Sequence, residues 1–204
     1  MTGRFWSALI WALVFFAVFI WSAIAPKDRA TWVLEVLPAV IGFALVAWCF
    51  VRFPLTPLVY WLILAHAIVL MVGGHYTYAE VPLFDWLGDH FGWERNNYDK
   101  LGHFVQGFVP ALVAREVVIR FQVFAQRGWP SFFIVCFCLA FSAFYELIEW
   151  WVALASEQAA ESFLGTQGYV WDTQSDMAWA LSGAILALGL LGRYHDRQLA
   201  ALDR

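Results

Sequence analysis

Ser142-Ala-Phe-Tyr-Glu-Leu-Ile-Glu-Trp-Trp151 closes an apolar run that begins near Pro130. Glu146 and Glu149 are three apart, so on a helix they share one face, with Ser142 and Tyr145 on the same stripe. The other faces carry Phe, Leu, Ile, Val and Trp. A helix that is apolar outside and acidic along one stripe is a membrane span turning its carboxylates toward partner helices. Carboxylates at membrane depth are costly, which makes this stretch the first place to look for a functional site.

Composition agrees. The 204 residues are 62% hydrophobic and 14% charged, with 19 Phe and 13 Trp, which places the chain in the membrane class. A net charge of −4 offers no basic face for nucleic acid, and no Gly-rich phosphate loop is present. Cys49, Cys136 and Cys138 all lie in apolar runs, where they act as small apolar fillers rather than as a disulfide or zinc framework. No repeat or low-complexity stretch divides the chain, and one domain, 1–204, is the simple reading.

Hydropathy predicts an all-α polytopic membrane protein of six transmembrane helices, over about 5–24, 32–51, 55–72, 98–121, 131–151 and 172–192. The first run is too long for a cleaved leader and is read as an uncleaved span. Gly73-Gly74 is taken as the end of the third span. Between the third and fourth, Pro82-Leu-Phe-Asp-Trp-Leu-Gly-Asp-His-Phe91 alternates apolar and acidic groups at helical spacing. That suits a short interfacial helix with Phe84, Trp86, Leu87 and Phe91 toward lipid.

Arg4, Arg52, Arg115, Arg120, Arg127, Arg193, Arg197 and Arg204 fall on one side of this topology; Lys27, Arg29, Arg95 and Lys100 fall on the other. Basic loops stay in the cytoplasm, so the expected location is the bacterial inner membrane with both termini cytoplasmic. The connection 152–171, on the outer side, has no basic residue, as this orientation requires.

The same topology gathers acids at one level in the outer half of the bilayer. Asp99 and His103, four apart, open the fourth span, and Asp172 and Asp176, four apart, open the sixth. Glu146 lies fifteen residues beyond Ser131, about 23 Å up its helix, with Glu149 nearly a turn higher. His75 follows the third span on that side. Only Lys100 and Arg95 are nearby cations, and each unpaired charge in mid-span costs about 2.5–3.5 kcal/mol. A divalent cation would neutralise two charges at once. Asp, Glu and His are ligands of Zn²⁺, Mn²⁺ or Fe²⁺, and an all-oxygen subset suits Mg²⁺ or Ca²⁺. The candidate metal set is therefore Asp99, His103, Glu146, Glu149, Asp172 and Asp176.

Plainer readings stand beside this one. Asp99 and Asp172 also suit the first turn of a helix, where the dipole favours acids, and Asn97 suits the cap before the fourth span. Glu146 and Glu149, near a helix C-terminus, have no such explanation. His66, alone in mid-span, reads as a helix-to-helix hydrogen bond, and Gly183 with Ala187 as a close-packing face.

Three stretches, Tyr98-Asp-Lys-Leu-Gly-His-Phe104, Tyr145-Glu-Leu-Ile-Glu-Trp150 and Gly168-Tyr-Val-Trp-Asp-Thr-Gln-Ser-Asp-Met177, resemble the YjdF-like bacterial inner membrane proteins over nearly the whole chain. That resemblance implies a polytopic inner membrane protein and no particular activity. A weaker likeness reaches the VanZ-like membrane proteins through Asp99, Lys100, His103, Phe104, Glu146 or Glu149, Asp176 and Gly183. Ala180, however, stands where that family has Asn, and the Arg that precedes the last Asp there is missing here.

The leading expectation is a periplasm-facing carboxylate and histidine site that binds a divalent cation. Its chemistry would be metal-assisted hydrolysis or transfer on an envelope lipid, with Glu146 or Glu149 as general base. A proton- or cation-coupled carrier is the alternative, opposed by the lack of an inverted repeat and of acids deep in the first two spans. A structural protein whose acids zip helices together is the third reading.

Overall fold

A computed structural model describes residues 2–126, 128–155 and 169–202. Arg127 and Arg204 of the basic-residue count, most of the connection 152–171 and Gly168 lie outside the described residues, as does the side chain of Arg4. The described residues form seven helices and no strand: α1 Thr2–Ala23, α2 Arg29–Arg52, α3 Pro57–Tyr76, α4 Pro82–Phe91, α5 Tyr98–Arg120, α6 Trp129–Ala155 and α7 Asp172–Leu202. Among them α1 (over Phe5–Ala23), α2, α3, α6 and α7 are long and apolar enough to cross a membrane.

The long polar helix α5 is the centre of the bundle, packed against α3, α6 and α7. Its 23 residues reach about 35 Å. It falls outside the strictly apolar set because Asp99, Lys100, His103, Gln106, Arg115 and Glu116 interrupt its hydropathy. Neighbours on three sides shield that polar stripe from lipid. The outer helices have the inverse character, with exposed Phe, Trp, Leu and Ile along α1, α2 and α6.

Local signals set the helix starts. Asp28 caps α2 by accepting the Thr31 N–H at 2.7 Å. Pro57 opens α3, but Thr56 makes no cap bond, because its hydroxyl donates to Glu116 instead, at 2.8 Å. Asn97 occupies the cap position of α5 without a capping bond; the Tyr98 N–H is met by Asn96 Oδ1 at 3.0 Å.

Gly73 and Gly74 do not end α3, which continues to Tyr76. A Cβ on Gly73 would lie 2.1 Å from the Tyr78 ring, and one on Gly74 3.2 Å from Glu35 Cβ. Both glycines are there for close approach rather than for termination. Likewise α7 continues past residue 192 to Leu202, carrying the buried His195. On α4 the exposed apolar residues are Leu83, Trp86 and Phe91. Phe84 turns inward instead, edge-on to Tyr98 at 5.1 Å.

Candidate functional site

Backbone proximity creates the site. A Cβ on Gly107 of α5 would lie 1.8 Å from the Ala180 carbonyl oxygen of α7, and one on Gly183 would lie 2.1 Å from the Phe104 carbonyl oxygen. Only glycine allows this crossing, as the spacing of Gly183 and Ala187 anticipates. It brings Asp176 on α7 against His103 on α5, and α6 closes the third side with Glu146 and Glu149.

Two groups of donor atoms result, each lying within 4.8 Å of one another: Asp99, His103 and Asp176, and His103, Glu146 and Glu149. His103 belongs to both and is 5% exposed. Its Nδ1 lies 3.1 Å from Gln106 Oε1 and 3.8 Å from Glu146 Oε1. In the tautomer that carries its proton on Nδ1, Gln106 Oε1 accepts that proton. Nε2, 3.5 Å from Asp99 Oδ1, then has the lone pair a cation needs. With Gln106 Oε1 accepting from Nδ1, Asp99, His103 Nε2 and Asp176 form the better ligand set. Glu146 and Glu149 stand beside it as acceptors for protons.

The acids differ in how well they are satisfied. Arg95 pairs with Asp172 at 2.6 Å and approaches Asp99 at 4.0 Å, so Asp172 is committed to an ion pair. Lys100 sits over the Tyr169 ring, 5.6 Å from its centre. Glu146 Oε1 and Asp176 Oδ1 are buried without a hydrogen-bond partner among the described residues. Buried orphan carboxylate oxygens are costly and call for an ion, a water or a proton.

Three further acidic or imidazole groups depart from expectation. Glu35 on α2 is 6% exposed and joins the acid end, accepting from the Tyr145 hydroxyl at 3.2 Å. The second span therefore does carry a buried acid; the signal was a lone carboxylate six residues into α2, on the face of Val36 and Ala39. His75 does not join. Its Nδ1 meets the Ser22 carbonyl at 3.0 Å and its ring lies on Trp21, tying α3 to α1. His66 makes no hydrogen bond among the described residues, and its ring borders a cavity instead.

That cavity holds about 970 Å³. Helix α2 packs on α1 and α3, while α6 packs on α5 and α7, so the space between α2 and α6 stays open. Asp99, His103, Glu35 and Glu149 border one end of it; the rest is walled by Val, Leu, Ile and Phe.

A second polar cluster lies at the opposite end. Glu116, fully buried, accepts from Thr56 N and Oγ1, Arg120 Nη1 at 3.0 Å and His195 Nε2 at 3.0 Å. Arg115 donates to His195 Nδ1 at 3.1 Å and to Asp196 at 2.6 Å. Arg115 and Glu116 lock α3, α5 and α7 together.

The chain is similar to the inner membrane protein YjdF of Escherichia coli (strain K12), with 52% identity over 188 residues. The alignment covers 92% of this chain and 90% of that protein. The profile of a family described as predicted membrane protein (DUF2238) matches residues 7–197. No solved structure matches.

Proposed function

The chain belongs to this family of predicted membrane proteins, DUF2238, and on that premise we propose an inner membrane protein of six spans, both termini cytoplasmic, that holds a divalent cation at its periplasmic end. In this reading α5 is the sixth span, admitted despite its polarity because α3, α6 and α7 surround it. Helix α4 lies in the outer interface on Leu83, Trp86 and Phe91.

One observation carries the cation: donor atoms of α5 lie within 4.8 Å of one another and of Asp176 on α7 in one group, His103 shares a second such group with Glu146 and Glu149 of α6, and two of the buried carboxylate oxygens there lack any partner among the described residues. Asp99, His103 Nε2 and Asp176 supply three ligands. That number leaves positions open, as in catalytic rather than structural sites. A bound divalent ion supplies a Lewis acid for a phosphoryl or carbonyl oxygen. Glu149, which borders both the cavity and the donor groups, is placed to take a proton from an attacking water, and Glu146 shares it through the adjacent turn. An envelope lipid reaches the site sideways, through the opening between α2 and α6.

Elemental analysis of the detergent-purified protein tests this. Wild type should carry one divalent ion per chain, and Asp176→Asn none. The Glu146→Gln, Glu149→Gln double variant should keep the ion while losing any turnover. No stoichiometric metal in the wild type, after purification with and without added Zn²⁺ or Mn²⁺, would refute the reading.

A further inference from the structure

Glu35 belongs to neither group of donor atoms, and the cation does not account for the cavity that Glu35 heads. Glu35 sits six residues into α2, about 9 Å along the helix from its first residue. Tyr145 donates to it at 3.2 Å, and Tyr78 lines the same cavity, so two phenols stand with the carboxylate there. Along α5 the cavity wall runs from Asp99 to Val118, nineteen residues or about 28 Å, against about 30 Å for a bilayer's hydrocarbon core. Polar groups gather at the Glu35 end, with His66 the exception along the wall.

A cavity of this shape takes one extended hydrocarbon chain with its head among the acids. Charge decides the sign of the head. Glu35, Asp99 and Glu149 border that end, and Glu146 and Asp176 lie in the same donor groups. Fully ionised, these five carboxylates would carry more charge than one divalent ion offsets, and their crowding alone disfavours any further negative group. An anionic head would add to the excess, and a cationic one reduces it. Depth decides the size. In an aminophospholipid the amine lies beyond the phosphate and glycerol, farther out than Glu35 when the chain fills the cavity. Only a compact head carried directly on the chain reaches Glu35.

We infer that the cavity binds a lipophilic amine, a single long hydrocarbon chain ending in a protonated amine that donates to Glu35 between Tyr78 and Tyr145. The inference rests on the membrane-spanning reading and not on the cation, so the two fail separately.

The test is equilibrium binding of dodecylamine, dodecanol and laurate to the full chain in detergent, with and without EDTA, read by native mass spectrometry. Dodecylamine should bind about tenfold or more tighter than dodecanol, with EDTA present, since a partly buried ion pair is at stake. Glu35→Gln should cut amine affinity about tenfold and leave dodecanol unchanged. Gly42 borders the cavity, and a Cβ there meets no atom within 4 Å. Gly42→Leu should therefore fill the groove and weaken both probes without disturbing the fold. Equal affinity for amine and alcohol, preference for laurate, unchanged amine binding in Glu35→Gln, or amine binding that EDTA abolishes would each overturn the proposal.

Discussion

Gly183→Ala should loosen both the bundle and the donor set. The added methyl would lie 2.1 Å from the Phe104 carbonyl oxygen and 3.0 Å from the Phe108 nitrogen, whereas ordinary contact begins at 3.4 Å. Both obstacles are backbone atoms of α5, which cannot rotate aside, so α5 and α7 must part by about 1 Å locally. Overpacking of that kind costs about 1–3 kcal/mol. Asp176 lies seven residues up α7, about 10 Å away along a stiff helix, and moves with it. Metal ligands tolerate about ±0.2 Å, so the parting should also weaken Zn²⁺ binding severely. Gly42→Ala is the control: its methyl meets no atom within 4 Å, and alanine is the better helix former by up to about 1 kcal/mol. Unfolding in mixed micelles and chelator competition read the two effects independently. If Gly183→Ala unfolds at the same point as Gly42→Ala and keeps wild-type affinity for Zn²⁺, the close crossing does not position the site.

Two smaller changes probe the site's support and the helix ends. Gln106→Leu removes the acceptor that holds the His103 Nδ1 proton, and should cost about 10–100-fold in metal affinity by chelator competition while leaving the unfolding midpoint near wild type. Asp28→Ala should cost about 1 kcal/mol at neutral pH, the worth of an N-cap. The Thr31 N–H holds the Asp28 carboxyl below its ordinary range. Its contribution is thus present above that range and fades as pH falls through the lowered value, so wild type and variant should converge once the carboxyl is protonated in both states.

The helices were legible because long apolar runs admit little else, and the α5, α6 and α7 acids because their spacing repeats at three and four residues. Glu35 was not, since one carboxylate with no partner in its own helix carries no pattern; only the fold brings Tyr145 to it from 110 residues away. Gly73-Gly74 reads the same in sequence whether it breaks a helix or admits a ring. Tyr78, four residues on, decides between these, and its position depends on the left-handed turn at Thr77. The Arg95 pair with Asp172 was likewise out of reach, because the two sit 77 residues apart.

The two buried polar clusters invite opposite predictions, and the comparison separates function from architecture. Each Glu116 oxygen accepts at least two hydrogen bonds, and His195 is engaged at both ring nitrogens. A network this complete is held together by its charge. Glu116→Gln strips the partner of Arg120 and His195 and should cost about 3 kcal/mol. Asp176 Oδ1, 3% exposed as a residue, accepts nothing among the described residues. Asp176→Asn removes a buried charge that no hydrogen bond on that oxygen repays, and should leave stability unchanged or raise it while abolishing cation binding. Stability spent at one end without return in the fold is what a binding site requires. Both variants belong in one unfolding series with the wild type. If Asp176→Asn destabilises as much as Glu116→Gln, the acid end is a helix clasp like its counterpart, and the cation reading falls with it.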